Sequence, residues 1–305
     1  MTDLILHHYD ASPFTQRALR MLGIKKLAWR SVETPMMPPK DDLVALTGGY
    51  RGTPVLQIGA DIYIDSQRIA RELERRFPTP SLFPGHDIGL ALAMVKWSDA
   101  FFRTTLHISI ALTADSWPKE FRQDREYLFP DINFAAVTRD VAHAQTQFRA
   151  HAAFIDQQLA DGRAFLEGEA PGLYDVHAHP FVWVARSYFS ELAIELLREF
   201  EHIEPWEARV TALGEGQRHV ITAEAAFAAA RAAEPERPSG VKPDPLGLAE
   251  GDAVLVAPDD TRRGAVRGQL VALDEHEVAV HRTHEQCGDV VVHFPRLGYR
   301  VRPLA

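Results

Sequence analysis

The order of periodicities in the first 77 residues restricts the fold more than any other feature. "LILHHY" (4–9) is a short apolar run that reads as a buried strand. Asp10-Ala11-Ser12-Pro13 breaks it, and Phe14, Ala18, Leu19, Met21 and Leu22 then recur at helical spacing up to Gly23. "LAWRSVE" (27–33) alternates and predicts a second strand, and the Pro-rich "TPMMPPK" leads into a short helix near 41–47. "TPVLQIG" and "DIYID" predict two strands turning about Gly59-Ala60. "SQRIARELERRF" places Ile69, Leu73 and Phe77 on one helix face. The order is βαβαββα.

Composition excludes several classes of protein. The 305 residues suffice for two or three domains with their own cores. A net charge of −9 argues against nucleic-acid binding, which needs a basic face. No apolar stretch approaches the roughly 20 residues of a membrane span. Asp3 and the lack of a basic region before a long apolar block argue against a secretory signal. One cysteine, Cys287, allows neither an internal disulfide nor a cysteine-rich zinc site, and reads as an incidental thiol in a turn. A soluble cytoplasmic protein is expected.

Three elements then stand in order: "SPF" at the first helix, "TPVL" before the third strand, and "DS" before the last helix. With the βαβαββα order, about 85 residues resemble the thioredoxin-like domain of cytosolic glutathione transferases. Ser12 matches the position that faces the glutathione sulfur in the serine and cysteine classes. The residues themselves allow a physical reading. Pro13 suits a first helical turn, where its missing N–H costs nothing, and puts Ser12 at or beside the N-cap. A thiol held at the positive end of a helix ionises more easily. A plain helix cap explains the same serine. Tyr9 and Thr15 are the competing hydroxyls, and by register His8, not Tyr9, falls closest to the tyrosine of other transferase classes.

The resemblance also implies a glutathione site built from Phe14, Lys40, Thr53, Pro54, Asp65 and Ser66. A cis Thr53–Pro54 bond would present the Thr53 backbone to the cysteinyl part of glutathione like an added strand. Lys40 would lie near the glycyl carboxylate. Ser66 reads as the N-cap of the last helix, and a helix start receives a carboxylate, here that of the γ-glutamyl group. Asp65 would take the γ-glutamyl amine.

From "DIGLALAMVKWSDAFFRTTLHISIAL" (87–112) to about 233 the chain is helix-rich, consistent with an all-helical second domain. "FLEGEAPGLYDVHAHPFVWVA" resembles the family's capped buried helix, with Asp175 at the acidic position. Gly172 stands where the family has Ser or Thr, so half of a reciprocal cap is missing. Asp175 and His179 share a helix face, but a metal site needs three or four convergent ligands and none is evident. His7 and His8 point to opposite faces of a strand. Phe101, Phe102, His107 and Trp117 fit an electrophile pocket or, more commonly, a core.

"EPERPSGVKPDPLG" (234–247), with Pro235, Pro238, Pro243 and Pro245, reads as a stiff linker. Beyond it, "DAVLVAP", "GAVRGQLVALD", "HEVAVHRT", "DVVVHFPR" and "YRVRP" predict five short strands, suggesting a small SH3-like β-barrel. Its Arg262, Arg263, Arg282 and Arg296 are offset by acidic residues. The expected organisation is a thioredoxin-like α/β domain (1–85), an all-α domain (86–233) and a small all-β domain (247–305). The implied function is a serine-type glutathione transferase, a homodimer with no metal, conjugating glutathione to a small hydrophobic electrophile. The alternative is a glutathione-binding interaction or regulatory module without conjugating activity. Thiol transfer is disfavoured, because Ser12 stands where that class has cysteine.

Overall fold

A computed structural model describes residues 3–236 and 239–304; Pro238 of the Pro-rich segment lies outside them. The N-terminal elements are β1 (Leu4–His8), α1 (Pro13–Ile24), β2 (Ala28–Glu33), α2 (Asp41–Thr47), β3 (Val55–Ile58), β4 (Asp61–Ile64) and α3 (Ser66–Arg76). β1 pairs β2 in parallel, β3 lies antiparallel to β1, and β4 antiparallel to β3. This is the thioredoxin-like arrangement that the βαβαββα order implies.

Among the described residues seven α-helices follow: α4 (Ile88–Thr113), α5 (Lys119–Leu128), α6 (Val141–Leu159), α7 (Leu173–Tyr188), α8 (Ser190–Leu197), α9 (Ile203–Ala212) and α10 (Ala223–Arg231). The remaining strands are β5 (Gln217–Val220), β6 (Gly240–Val241), β7 (Ala253–Pro258), β8 (Val266–Leu273), β9 (Glu277–His284), β10 (Gly288–Pro295) and β11 (Tyr299–Pro303).

The chain divides into two compact units. Residues up to Thr15, Ala28–Glu72 and everything from Gln217 onward form one; Gln16–Leu27 and Leu73–Gly216 form the other. In the first, a single sheet runs β11-β7-β8-β9-β10-β4-β3-β1-β2-β5, with β6 on β8. Two features of it depart from the sequence reading. Among the described residues no ladder joins β10 to β11, so the expected small barrel is not closed; β10 instead pairs in parallel with β4. Residues 217–231, read as part of the helical stretch, supply the edge strand β5 on β2 and the helix α10. Strand periodicity records which face is apolar, whereas the choice of neighbour is made by backbone groups that carry no sequence signature.

Packing explains both departures. The alanine-rich α10 lets backbone approach closely, and Ala226 packs with Ile5 and Val32. Its Ala226 carbonyl accepts a buried hydrogen bond from the Gln57 amide at 2.8 Å. Phe227 joins a core of Leu46, Val55, Ile62, Val256, Leu270 and Phe294, which continues from the thioredoxin strands into the added ones. Segment 234–247 carries the two-residue β6 rather than linker alone.

In the helical unit, Phe101, Phe148, Phe181 and Trp206 form the centre of the core. Phe101 has its ring 5.3 Å from Phe148 and 5.2 Å from Phe181, which makes it a core aromatic. The Asp175 carboxylate accepts from the backbone N–H of Leu166 and Gly172 and from the Trp206 indole, at 2.9, 2.9 and 2.6 Å. Burial nevertheless pushes its pKa up to about 6. His179 bonds Thr211 at 3.2 Å.

The missing half of the α7 cap has a substitute. Glu167 accepts the Tyr174 N–H at 2.9 Å, the task a Ser or Thr side chain at 172 would share. A Cβ at Gly172 would lie 1.8 Å from the Glu167 carboxylate, so the glycine makes room for it. Gly172→Ser is therefore expected to destabilise the protein by about 1–3 kcal/mol in thermal melts. Sequence pattern alone predicts a gain, and a raised melting temperature would refute the Glu167 cap.

Candidate functional site

Ser12 stands at the start of α1, 2% exposed. Its N–H donates to the Tyr9 carbonyl at 3.1 Å, and its hydroxyl oxygen accepts the Thr15 N–H at 3.3 Å. The hydroxyl thus caps the helix as an acceptor, while its proton meets no acceptor among the described residues. A serine here retains a donor for something else.

The neighbouring groups are organised around β1. His8 is buried, bonds the Ser31 hydroxyl through Nε2 at 2.9 Å, and is held neutral with its pKa lowered to about 4, chiefly by desolvation. Its Nδ1 lies 3.5 Å from Asp10, which is itself clamped by both Arg218 nitrogens at 2.9 and 3.0 Å. His7 turns the other way, to Gln57 at 2.9 Å. Tyr9 lies under the Lys40 ammonium, 5.2 Å from the ring centroid. Lys40 is buried and immediately precedes α2.

The Thr53–Pro54 bond is cis. The backbone N–H and C=O of Thr53 make no hydrogen bond among the described residues, while Val55 already pairs His7. At α3 the geometry differs by one residue from the sequence reading. Asp65, at φ 77°, is the capping residue: its carboxylate accepts the Gln67 N–H at 2.9 Å and its carbonyl the Ile69 N–H at 2.9 Å. Ser66 is the first helical residue and is buried. Aspartate tolerates the left-handed conformation because its short carboxylate bonds the local backbone.

Sequence reasoning missed the residues that the added strands bring here. Tyr299 of β11 donates its hydroxyl to Asp65 Oδ2 at 3.3 Å. Arg263, in the β7–β8 connection, holds its guanidinium 5.1 Å from the centroid of the Phe14 ring. Its carbonyl accepts the Arg51 N–H at 2.8 Å, and a Cβ at Gly264 (φ 95°) would lie 2.1 Å from the Gly49 carbonyl. In the sequence Arg263 stands out only as one charge among several. The Arg-Gly pair at a strand connection was its sole local signal.

Comparisons with known proteins place the chain in a family. Residues 6–81 match the glutathione S-transferase N-terminal domain family. A crystal structure of a glutathione S-transferase-like protein from Pseudomonas syringae is 33% identical over 100% of both chains, with a TM-score of 0.81. The chain belongs to the glutathione S-transferase-like family. The full-length match means that the added strands are shared with that relative. A glutathione S-transferase from Rhodospirillum rubrum (20% identity, 68% of this chain and 88% of that one, TM-score 0.52) shares the fold. So does a beta-etherase from a Sphingobium species (17%, 70% and 96%, TM-score 0.54). No curated protein matches the chain. Among the described residues no group of three or more His, Cys, Asp or Glu could hold a metal, and no helix is long and apolar enough to cross a membrane.

Proposed function

We propose that this protein is a cytoplasmic glutathione transferase of serine type, joining the glutathione thiol to a small hydrophobic electrophile, with a role in detoxification. The observation that carries the reading is the Ser12 hydroxyl: its oxygen is used by the helix cap and its proton is not. That proton would stabilise a thiolate at the start of α1, where the helix dipole adds to the effect. The unpaired Thr53 backbone supports strand-like binding of the cysteinyl unit. Lys40 would face the glycyl carboxylate, and Ser66, at the first turn of α3, the γ-glutamyl carboxylate.

Immobilised glutathione is expected to retain the protein, and Ser66→Ala to weaken retention by about tenfold, since a hydrogen bond to a charged group contributes about 1.5–3 kcal/mol. Equal retention of the variant would remove Ser66 from the site. By resemblance to the family the protein is a homodimer, expected to scatter light at twice its chain mass; a monomer mass would refute this.

The added strands β7–β11 favour a second reading, a glutathione-binding interaction or regulatory module. Glutathione binding without turnover across a panel of electrophiles would select it.

A further inference from the structure

The edge strand β5 reaches the turn that carries Ser12. Gly216, at φ 76°, would place a Cβ 2.2 Å from the Leu27 carbonyl, so the chain comes in close and β5 starts at the next residue. Parallel pairing with β2 sets Arg218 opposite Trp29 and Val220 opposite Ser31, and the Ile221 N–H donates to the Ser31 carbonyl at 2.9 Å. The Arg218 guanidinium lies over the Trp29 ring, 5.1 Å from its centroid. From there it donates to both Asp10 carboxylate oxygens, Nη1 to Oδ2 at 3.0 Å and Nη2 to Oδ1 at 2.9 Å. His8 stands edge-on to Trp29, 5.5 Å between centroids, and bonds Ser31. An exposed ion pair between mobile side chains fixes little, but a planar, stacked and bidentate one has few alternative geometries.

The Ser12 N–H bond to the Tyr9 carbonyl, at 3.1 Å, closes a four-residue turn with Asp10 and Ala11 at its corners. Ser12 is the last residue of that turn, and α1 begins at Pro13. The direction of the Ser12 hydroxyl therefore follows the corner dihedrals, and Asp10 is the corner with a polar side chain to hold. We propose that Arg218 is a positioning residue for Ser12: by clamping Asp10 it fixes the Tyr9–Ser12 turn and so aims the serine hydroxyl at the thiol. The inference rests on the serine-type reading above and gives β5, where the chain returns to the first sheet, a part in that site. Charge and position predict opposite signs at Asp10. A carboxylate beside a thiolate disfavours it, so an Asp10 that acted by its charge would make Asp10→Asn favour the thiolate. An Asp10 that anchors the turn does the reverse, because an amide offers the Arg218 fork one acceptor oxygen instead of two.

The test records thiolate absorbance of bound glutathione against pH on the full chain, with glutathione affinity measured by calorimetry on the same samples. Arg218→Met, which keeps an apolar stem over Trp29 and drops the fork, is expected to lower the thiolate fraction at neutral pH by about threefold to tenfold. Affinity for glutathione should change by less than about twofold, because the clamp addresses neither end of the ligand. Arg218→Lys, which keeps the charge and loses the fork, should behave as Arg218→Met does. Asp10→Asn should move the thiolate curve in the same direction, and its side chain, 63% exposed, leaves the core intact, so it decides the matter if the Arg218 variants do not fold. Added to Ser12→Ala, Arg218→Met should change nothing further, since both act through one hydroxyl. A merely structural ion pair would lower the melting temperature and leave the curve, read per bound ligand, where it was. Three results would overturn the inference alone: a curve that moves with Ser12→Ala but with neither Arg218→Met nor Asp10→Asn, a thiolate favoured by Asp10→Asn, or losses from Ser12→Ala and Arg218→Met that add in full. A curve that Ser12→Ala itself leaves in place would overturn the serine-type reading, and this inference with it.

Discussion

Replacing His293 by alanine is expected to cost about 3–5 kcal/mol of unfolding free energy, because it removes the imidazole partner of the buried Asp61 carboxylate and of half-buried Glu277. His293 on β10 bonds Asp61 of β4 at 2.9 Å, and its other nitrogen lies 3.5 Å from Glu277 of β9. Its ring stacks on Tyr63, 4.6 Å between centroids. Arg68 reaches Glu277 at 2.6 Å and lies 3.7 Å from Glu72. Arg71 and Asp274 are the next charges toward Glu277. The group stands at the end of the short β4–β10 ladder, which pairs only Val291, Val292 and His293 with Asp61, Ile62 and Tyr63. Side chains therefore carry much of the join between the added strands and the thioredoxin strands.

Burial works against a charged imidazole, but the bonds to Asp61 and Glu277 win and raise the His293 pKa. Burial likewise pushes the Glu277 carboxyl up, and His293 and Arg68 overcome it, holding the group at about 2. The signs follow from linkage. A histidine with a raised folded pKa contributes stability fully below its unfolded value of about 6.5, and loses it as pH rises through the folded pKa. Urea melts of wild type and His293→Ala should therefore differ most near pH 6 and converge at higher pH. Asp61→Asn in the His293→Ala background should recover part of the loss, because the two residues act as a unit. A difference below about 1 kcal/mol at pH 6 would mean that the group is not a structural join.

Ser12→Ala is expected to lower conjugation at neutral pH by about tenfold or more, with recovery at high pH. Without the Ser12 proton the bound thiol should rise by roughly one to two pKa units, the equivalent of a hydrogen bond to a charged group. Affinity for glutathione should change little, since the serine addresses the sulfur and not the ends of the ligand. Thiolate absorbance against pH, measured on both proteins, reads the shift directly. If Ser12 only caps α1, the variant loses about 1 kcal/mol of stability and its thiolate curve does not move. The long 3.3 Å cap bond to Thr15 makes even that loss modest. Ser12→Cys should exchange conjugation for mixed-disulfide chemistry, because a thiolate at a helix start attacks disulfides.

What the sequence determined by itself was local. The βαβαββα order, the helix start after Ser12-Pro13, the cis-compatible proline at 54 and the acidic residue that caps α7 follow from periodicity, from φ restriction and from short-range hydrogen bonds. Each depends on neighbours a few residues away. Tertiary structure decided the rest. Whether 253–303 would close on itself or extend the sheet of β1–β4 depended on which backbone edge was open to β10. Whether Gly172 was a defect or a clearance depended on where the Glu167 carboxylate fell. Ser66 was legible as belonging to a helix start, but the cap falls one residue earlier, on Asp65, whose other carboxylate oxygen receives Tyr299 from 234 residues away. Arg263 reaches Phe14, and Tyr299 reaches Asp65, from far along the chain. Periodicity is read along the chain and cannot register such convergence, because contacts between distant segments are fixed by shape and charge in three dimensions.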